Sequence, residues 1–142
     1  MIIAVDFDGT IVEHEYPKMG KPIPVAIETL REIQKHGHKL ILWTVRRGEY
    51  LQEAVEYCAQ RGLHFFAENE NYRGETIEKS EYSRKLKSDL FIDDRNLGGL
   101  PNWGVIYNVI KAMDAGHPNP LALLAGNSAM PEKKKRKGWV RC

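Results

Sequence analysis

The chain has 142 residues, of which 42% are hydrophobic and 28% are charged, values that are ordinary for a single globular domain. No apolar run approaches the roughly 18 residues that a membrane helix requires, and the N-terminus lacks the basic and long apolar regions of a signal peptide. Cys58 and Cys142 are too few for a disulfide framework or a cysteine metal site. We therefore expect a cytoplasmic domain without membrane contact.

The net charge of +2 hides an uneven distribution along the chain. From Pro131 to Cys142 there are six basic residues and one acidic residue, whereas the rest of the chain has 15 basic and 18 acidic residues. We expect residues 1–116 to form the folded domain and residues 117–142 to form an extension with a flexible basic tail. Such a tail could also hold a polyanion or contact another subunit.

Four short apolar runs divide the folded part of the chain. Each is bounded by charged residues or glycine, which is typical of strands that are buried on both faces. The runs cover residues 1–5, 39–45, 64–67 and 89–93.

Amphipathic segments separate these runs. Apolar residues spaced by three or four predict helices over 23–33 and 51–58, and Gly37 and Gly62 follow them as stops. Strands that alternate with helices predict one doubly wound, Rossmann-like α/β domain with a parallel central sheet. Further helices are expected around 76–88, over 104–115 and at 121–125.

Polar and acidic residues follow three of the predicted strands. The first strand ends in Asp6 and Asp8, the second in Thr44, and the fourth in Asp93 and Asp94. Ligands of a doubly wound sheet bind at the carboxyl ends of its strands, so these side chains should converge there. Carboxylates about 4 Å apart repel by about 4 kcal/mol at a surface-like dielectric, and a cation relieves this repulsion. Oxygen ligands without histidine or cysteine favour Mg²⁺.

The same segments resemble the motifs of the haloacid dehalogenase-like hydrolases. "DFDGT" is similar to the first motif of their phosphatases, D-x-D-G-T. "LILWT" is similar to the second, an apolar strand that ends in Thr or Ser, and "DLFIDD" to the fourth, an apolar strand that ends in two acids. The third motif is a lysine upstream of the acidic pair. Lys79, Lys85 and Lys87 are candidates, and a separation of about eight residues favours Lys85.

The resemblance, which covers residues 1 to about 110, implies a reaction. In that family the first aspartate attacks phosphorus and the second protonates the leaving oxygen, which assigns these roles to Asp6 and Asp8. Thr44 would hydrogen-bond the phosphoryl group, and Lys85 would offset negative charge.

The resemblance also implies the remaining members of the site. Mg²⁺ would bind Asp6, the main-chain carbonyl of Asp8, and Asp94 or Asp93, with Asp94 favoured by analogy. The predicted substrate contacts are Gly9, Thr10 and Arg46.

The chain has no room for a large cap domain. An uncapped site can accept a large phosphorylated substrate, or a second copy of the chain can complete the site. Small phosphorylated molecules are a further substrate class, and nothing specifically indicates nucleic acid. The loop 13–24 is the expected local lid. Arg46 and Arg47 would bind a second anionic group at the entrance of the site.

The function that these observations predict is a Mg²⁺-dependent phosphomonoester hydrolase that acts through an aspartyl-phosphate. The alternative is a phosphate- or polyanion-binding scaffold that keeps the acidic metal site but has little turnover. A signalling receiver module also uses acids, Thr and Lys, but there Thr and Lys follow the acids, whereas here they precede Asp93 and Asp94.

Overall fold

The computed structural model describes residues 1–76 and 85–125. The chain divides into two compact units, Met1–Leu100 and Pro101–Cys142. The boundary expected at residue 116 stays a prediction. The elements are β1 (Ile2–Val5), α1 (Ala26–Lys35), β2 (Lys39–Leu42), α2 (Gly48–Ala59), β3 (Ala67–Glu68), β4 (Leu90–Ile92), α3 (Trp103–Asp114) and α4 (Ala122–Ala125).

The four strands form one parallel sheet in the order β3-β2-β1-β4, with β1 and β2 inside. β1 pairs with β2 from Ile2↔Lys39 to Val5↔Leu42, and with β4 from Ile3↔Leu90 to Val5↔Ile92. Strands and helices alternate from β1 to β3, and the described residues contain no large cap. The predicted parallel α/β, Rossmann-like architecture is confirmed.

The order of the strands fixes where a ligand can approach. The chain runs outward from β1 through β2 to β3 and then returns to place β4 on the other side of β1. The crevice where the winding changes direction lies beyond the carboxyl ends of β1 and β4, and this is where doubly wound sheets bind ligands.

The helices of the first unit bury part of the apolar faces that their spacing predicts; Leu51 and Val55, expected beside Cys58 on the apolar face of α2, are only half-buried. α1 buries Ala26, Ile27, Leu30 and Ile33, and α2 buries Ala54 and Cys58. The helix predicted around 76–88 falls largely outside the described residues, and residues 85–88, which are described, are not helical.

α1 begins at Ala26 rather than at residue 23, and β3 covers Ala67–Glu68 rather than residues 64–67. Two further boundaries differ from the prediction for a local reason. β2 ends at Leu42 rather than at residue 45, because the main-chain N–H of Thr44 donates to the side chain of Asn69 instead of to a strand (2.8 Å). α2 begins at Gly48 rather than near residue 51, since Arg47 is still extended and its carbonyl accepts the first helical hydrogen bonds.

In the second unit, α3 follows the capping residue Asn102. The side chain of Asn102 accepts a hydrogen bond from the N–H of Val105 (2.9 Å) and so satisfies a donor of the first turn. Among the described helices of the protein, none is long and apolar enough to cross a membrane.

Candidate active site

Three carboxylates meet at the crevice between β1 and β4. The register pairs Val5 with Ile92, so Asp6 is placed beside Asp93, and the N–H of Asp6 donates to the carbonyl of Ile92 (2.9 Å). Asp6, Asp93 and Asp94 each offer an oxygen, and these oxygens lie within 4.8 Å of one another. The structure therefore brings together three of the four predicted acidic residues.

The surroundings of Asp6 disfavour its charge. Burial, followed by the neighbouring Asp93 carboxylate, raises the pKa of Asp6 from 3.8 to about 8. A cation at this position would oppose both effects, because it stabilises the ionised carboxylate.

Asp94 tests whether a metal ion fits this cluster. Its Oδ1 atom is buried and has no hydrogen-bond partner in the described part of the chain. A buried carboxylate oxygen without a donor is costly, and a cation satisfies it. The available ligands are all oxygen atoms, which suits a hard ion such as Mg²⁺.

Thr10 connects Asp6 and Asp94 through its hydroxyl group. Its side chain is fully buried; the hydroxyl donates to Asp6 Oδ2 (3.3 Å) and accepts from the N–H of Asp94 (3.1 Å). Thr10 was predicted to contact substrate, but in this structure it does not line the cleft. Its role here is to connect the loops that follow β1 and β4.

Gly9, also predicted as a substrate contact, allows Asp94 to approach β1. Its φ is +89°, in the left-handed region, and a Cβ at this position would lie 2.3 Å from Asp94 Oδ2. The N–H of Gly9 donates to the carbonyl of Val12 (2.7 Å), so it is already used within the loop. The structure thus explains this glycine by backbone conformation and close packing.

Asp8 points away from the acidic cluster and pairs with Arg46. The guanidinium donates from Nε to Asp8 Oδ2 (2.8 Å) and from Nη2 to Asp8 Oδ1 (2.7 Å), a bidentate ion pair. Asp8 lines the cleft with 5% of its surface exposed, whereas Arg46 has no exposed surface. These hydrogen bonds raise the pKa of Arg46 above its ordinary value.

The position of Arg46 differs from the one predicted. Sequence reasoning put Arg46 at the mouth of the site, gripping an anionic group, but the structure buries it behind Asp8. The neighbouring Arg47 is exposed and does line the cleft. An extended chain turns successive side chains to opposite sides, which separates these two arginines.

Thr44 lies on the cleft, as a phosphoryl contact requires. Its Oγ1 accepts a hydrogen bond from the N–H of Arg46 (3.1 Å), which leaves the hydroxyl hydrogen with no acceptor in the portion of the chain that is described. Asn69, which sequence reasoning missed, shapes this loop. It accepts from the N–H of Thr44 and donates to the carbonyl of Arg46 (3.4 Å), and its φ is +54°.

The cleft that contains these residues has a volume of about 880 Å³. Aromatic and polar groups that were not predicted contribute to its walls, including Tyr16, Trp43 and Arg95. Asn69 lies two residues after the predicted third strand, 64–67, and this position near a strand end was the one available signal for it. Among the described residues, the lining consists of Asp6, Asp8, His14, Tyr16, Trp43, Thr44, Val45, Arg47, Asn69, Glu70, Asn71, Glu75, Thr76, Leu86, Asp93 and Arg95.

The predicted lysine stays undecided. Lys85 is exposed, does not line the cleft, and has its Nζ 5.6 Å from the centre of the Phe91 ring. Lys87 is also exposed, and its N–H donates to Asn71 Oδ1 (2.7 Å). Lys79 falls within 77–84, outside the described residues.

This chain is similar to a protein of known structure over most of its length and to a curated protein over a shorter part. A solved structure of a conserved protein from Bacteroides thetaiotaomicron is 59% identical in sequence, with a TM-score of 0.75, and the alignment covers 80% of this chain and 91% of that one. The chain belongs to the same family as this protein. No family model matches the chain.

The partial match carries a functional name. A protein of Bacillus cereus described as a "putative nucleotidase" is 26% identical over 87 residues, which are 61% of this chain. The chain thus matches about half of the relative's length, 46%. The relative's name is consistent with a hydrolase that acts on phosphate esters.

Proposed function

We propose that this protein is a Mg²⁺-dependent phosphomonoester hydrolase of the haloacid dehalogenase-like type. The observation that carries the proposal is the division of the acidic residues into two groups. Asp6 lies with Asp93 and Asp94 in a cluster that suits a cation, while Asp8 faces the same cleft with a separate partner. This division supports a role for Asp6 in attack on phosphorus and for Asp8 in proton transfer.

The proposed reaction has two steps. Asp8 starts the cycle as the neutral acid. An Asp6 oxygen attacks phosphorus, the bond from phosphorus to the leaving oxygen breaks, and that oxygen takes the proton from Asp8, which leaves the carboxylate that pairs with Arg46. Water then attacks the aspartyl-phosphate and gives a proton to Asp8, which releases inorganic phosphate and restores the Asp6 carboxylate. The Thr44 hydroxyl, which has no acceptor in the described residues, donates a hydrogen bond to a phosphoryl oxygen.

Asp6, Asp93 or Asp94, and the main-chain carbonyl of Asp8 would hold Mg²⁺. The ion would neutralise carboxylate charge and stabilise the negative charge of the phosphoryl group. Asp94 is supported as a ligand by its buried Oδ1 atom without a hydrogen-bond partner among the described residues.

The substrate class that we propose to test first is nucleoside monophosphates. The name of the Bacillus cereus relative supports this choice, and the aromatic residues Tyr16 and Trp43 on the walls of the cleft offer surfaces for a base. The 880 Å³ volume of the cleft accommodates such a ligand.

The experiment is phosphate release from p-nitrophenyl phosphate and from a panel of nucleoside monophosphates, with Mg²⁺ and with chelator. Asp6→Asn should abolish turnover. Asp89→Asn is the matched control, because it makes the same change at the opposite end of β4, where the residue accepts the N–H of Ile2 and an Asn oxygen can do the same.

Turnover that requires both Mg²⁺ and Asp6 would support the hydrolase. Binding of phosphate with Mg²⁺ but no release from any ester would contradict it and favour a binding protein that keeps the metal site.

A further inference from the structure

Arg46 contacts three separate segments around the cleft. Besides its two hydrogen bonds to Asp8, the guanidinium donates from Nη2 to the carbonyl of Lys18 (3.0 Å) and from Nη1 to the carbonyl of Tyr50 (3.4 Å). Asp8 follows β1, Lys18 belongs to the loop 13–24, and Tyr50 lies in the first turn of α2. One buried side chain therefore joins all three.

Aromatic rings complete the surroundings of this guanidinium. Its central carbon lies 5.1 Å from the centre of the Phe7 ring and 5.2 Å from that of Tyr16, and the Tyr16 ring is 5.9 Å from that of Tyr50. Cation–π contacts of this kind are strengthened by burial. Tyr16 also lines the cleft, so the aromatic ring that Arg46 contacts forms part of the cleft wall.

The loop 13–24 has its own ties at its base. The N–H of Glu13 donates to the carbonyl of Lys21 (2.7 Å), and the N–H of Ile23 donates to the carbonyl of Ile11 (2.9 Å). Toward its tip, the hydrogen bond from Arg46 to the carbonyl of Lys18 connects the loop to the remainder of the site. Arg46 is thus placed to fix the tip rather than the base.

We propose that Arg46 is a positioning residue that orients Asp8 for proton transfer and anchors the tip of the loop 13–24 through the same guanidinium. The acid–base group and one wall of the cleft would then be placed together. The first half of this inference rests on the proposed hydrolase function; the second half does not. A planar fork with several donors is required, which arginine provides and lysine does not.

Arg46→Lys tests the proposal, and Arg47→Lys is its matched control. The two residues are adjacent and receive the same change, but Arg47 is exposed on the cleft, whereas Arg46 is buried behind Asp8. Phenyl phosphate and p-nitrophenyl phosphate are the substrates, because they are similar in size and differ in how much the leaving oxygen needs a proton.

We expect Arg46→Lys to lower kcat for phenyl phosphate by about 100-fold, the cost of a misplaced catalytic group, and kcat for p-nitrophenyl phosphate much less. Arg47→Lys should leave the ratio of the two kcat values unchanged. In an Asp8→Asn background, Arg46→Lys should no longer change that ratio, because its effect acts through Asp8.

Two kinetic outcomes would overturn the assignment. An equal rise in KM for both substrates and in the inhibition constant of inorganic phosphate, with the kcat ratio unchanged, would make Arg46 a substrate contact. A loss of kcat that is equal for both substrates and persists in the Asp8→Asn background would leave it only a structural role.

Limited proteolysis tests the anchoring half without using activity. Trypsin can cut after Lys18, and we expect Arg46→Lys to accelerate this cleavage by at least tenfold while Arg47→Lys leaves it unchanged. Asp8→Asn, which removes the charge that holds the guanidinium, should accelerate it in the same direction. If Arg46→Lys does not fold, the rate of cleavage after Lys18 in Asp8→Asn tests the anchoring of the loop.

The two proposals fail in different ways. Wild-type protein that releases no phosphate would refute the hydrolase function and the acid–base half of this inference. Unchanged cleavage after Lys18 in both Arg46→Lys and Asp8→Asn would refute the anchoring half, whether or not the wild type is active.

Discussion

Replacing Asp6 with Asn should increase the free energy of unfolding of the metal-free protein, although it removes the proposed nucleophile. Burial and the Asp93 carboxylate raise the pKa of Asp6 from 3.8 to about 8. Between these two pH values the unfolded chain gives up a proton that the folded protein retains. Stability is therefore lost as pH rises through this window, and Asn, which is neutral in both states, avoids the loss.

The magnitude follows from the width of the window. A fully expressed shift costs about 1.4 kcal/mol per pH unit, or about 6 kcal/mol across it. Asp6 is partly exposed, and solvent screening lowers the effect, so we expect about 2 kcal/mol. The stability difference between Asp6→Asn and wild type should be near zero at pH 4 and reach its full size near pH 8.

Chemical denaturation in the presence of chelator, repeated across this pH range, measures that difference. Asp89→Asn serves again as the control and should give no pH-dependent gain. A saturating concentration of Mg²⁺, at about 100 times its dissociation constant, should stabilise the wild type by about 2.7 kcal/mol and Asp6→Asn much less. A wild type that is as stable as Asp6→Asn at pH 8 without metal would refute the reasoning.

Three further substitutions test the structure of the site. Gly9→Ala should weaken Mg²⁺ binding, because the added methyl group displaces Asp94, and should cost about 1–3 kcal/mol of stability, because the residue has a positive φ. Calorimetric Mg²⁺ titration measures the first effect and thermal unfolding the second. Thr10→Val should cost about 1–3 kcal/mol in denaturant unfolding, since the N–H of Asp94 loses its acceptor, and an effect below the error of the method would contradict this role. Arg46→Ala should cost about 3–5 kcal/mol, because it leaves Asp8 buried and unpaired, and Asp8→Asn combined with Arg46→Ala should recover part of that loss.

The sheet and its acidic cluster could be predicted because they follow from local pattern. Four apolar runs locate the strands, and the strand order of a doubly wound sheet brings the residues after β1 and β4 to the same crevice. Asp6, Asp93 and Asp94 meet there without any further information. The lengths of β2 and β3 were less predictable, because they depend on individual hydrogen bonds such as that from Thr44 to Asn69.

The partner of Arg46 could not be predicted for a different reason. Arg46 and Arg47 are the same residue type in adjacent positions, and only the packing of the loop 13–24 and of α2 decides which one is buried. Asp8 is 38 positions away in sequence. Thr10 presents the same difficulty. One of its partners, Asp6, directly follows β1, but the other, Asp94, lies in the loop after β4, 84 positions after Thr10.

The burial of Arg46 changes the charge balance that a phosphate would meet. Its positive charge is paired with the Asp8 carboxylate, so it does not offset the negative charge of Asp6, Asp93 and Asp94. A dianionic phosphate that approaches three carboxylates needs other cations, and a divalent metal ion is the first of them. Arg47, in the loop after β2, and Arg95, in the loop after β4, line the cleft on opposite sides of β1, so they are placed to supply the next. In the proposed mechanism, Arg46 would hold the acid–base group, whereas Arg47 and Arg95, which line the cleft, would offset the charge of the substrate.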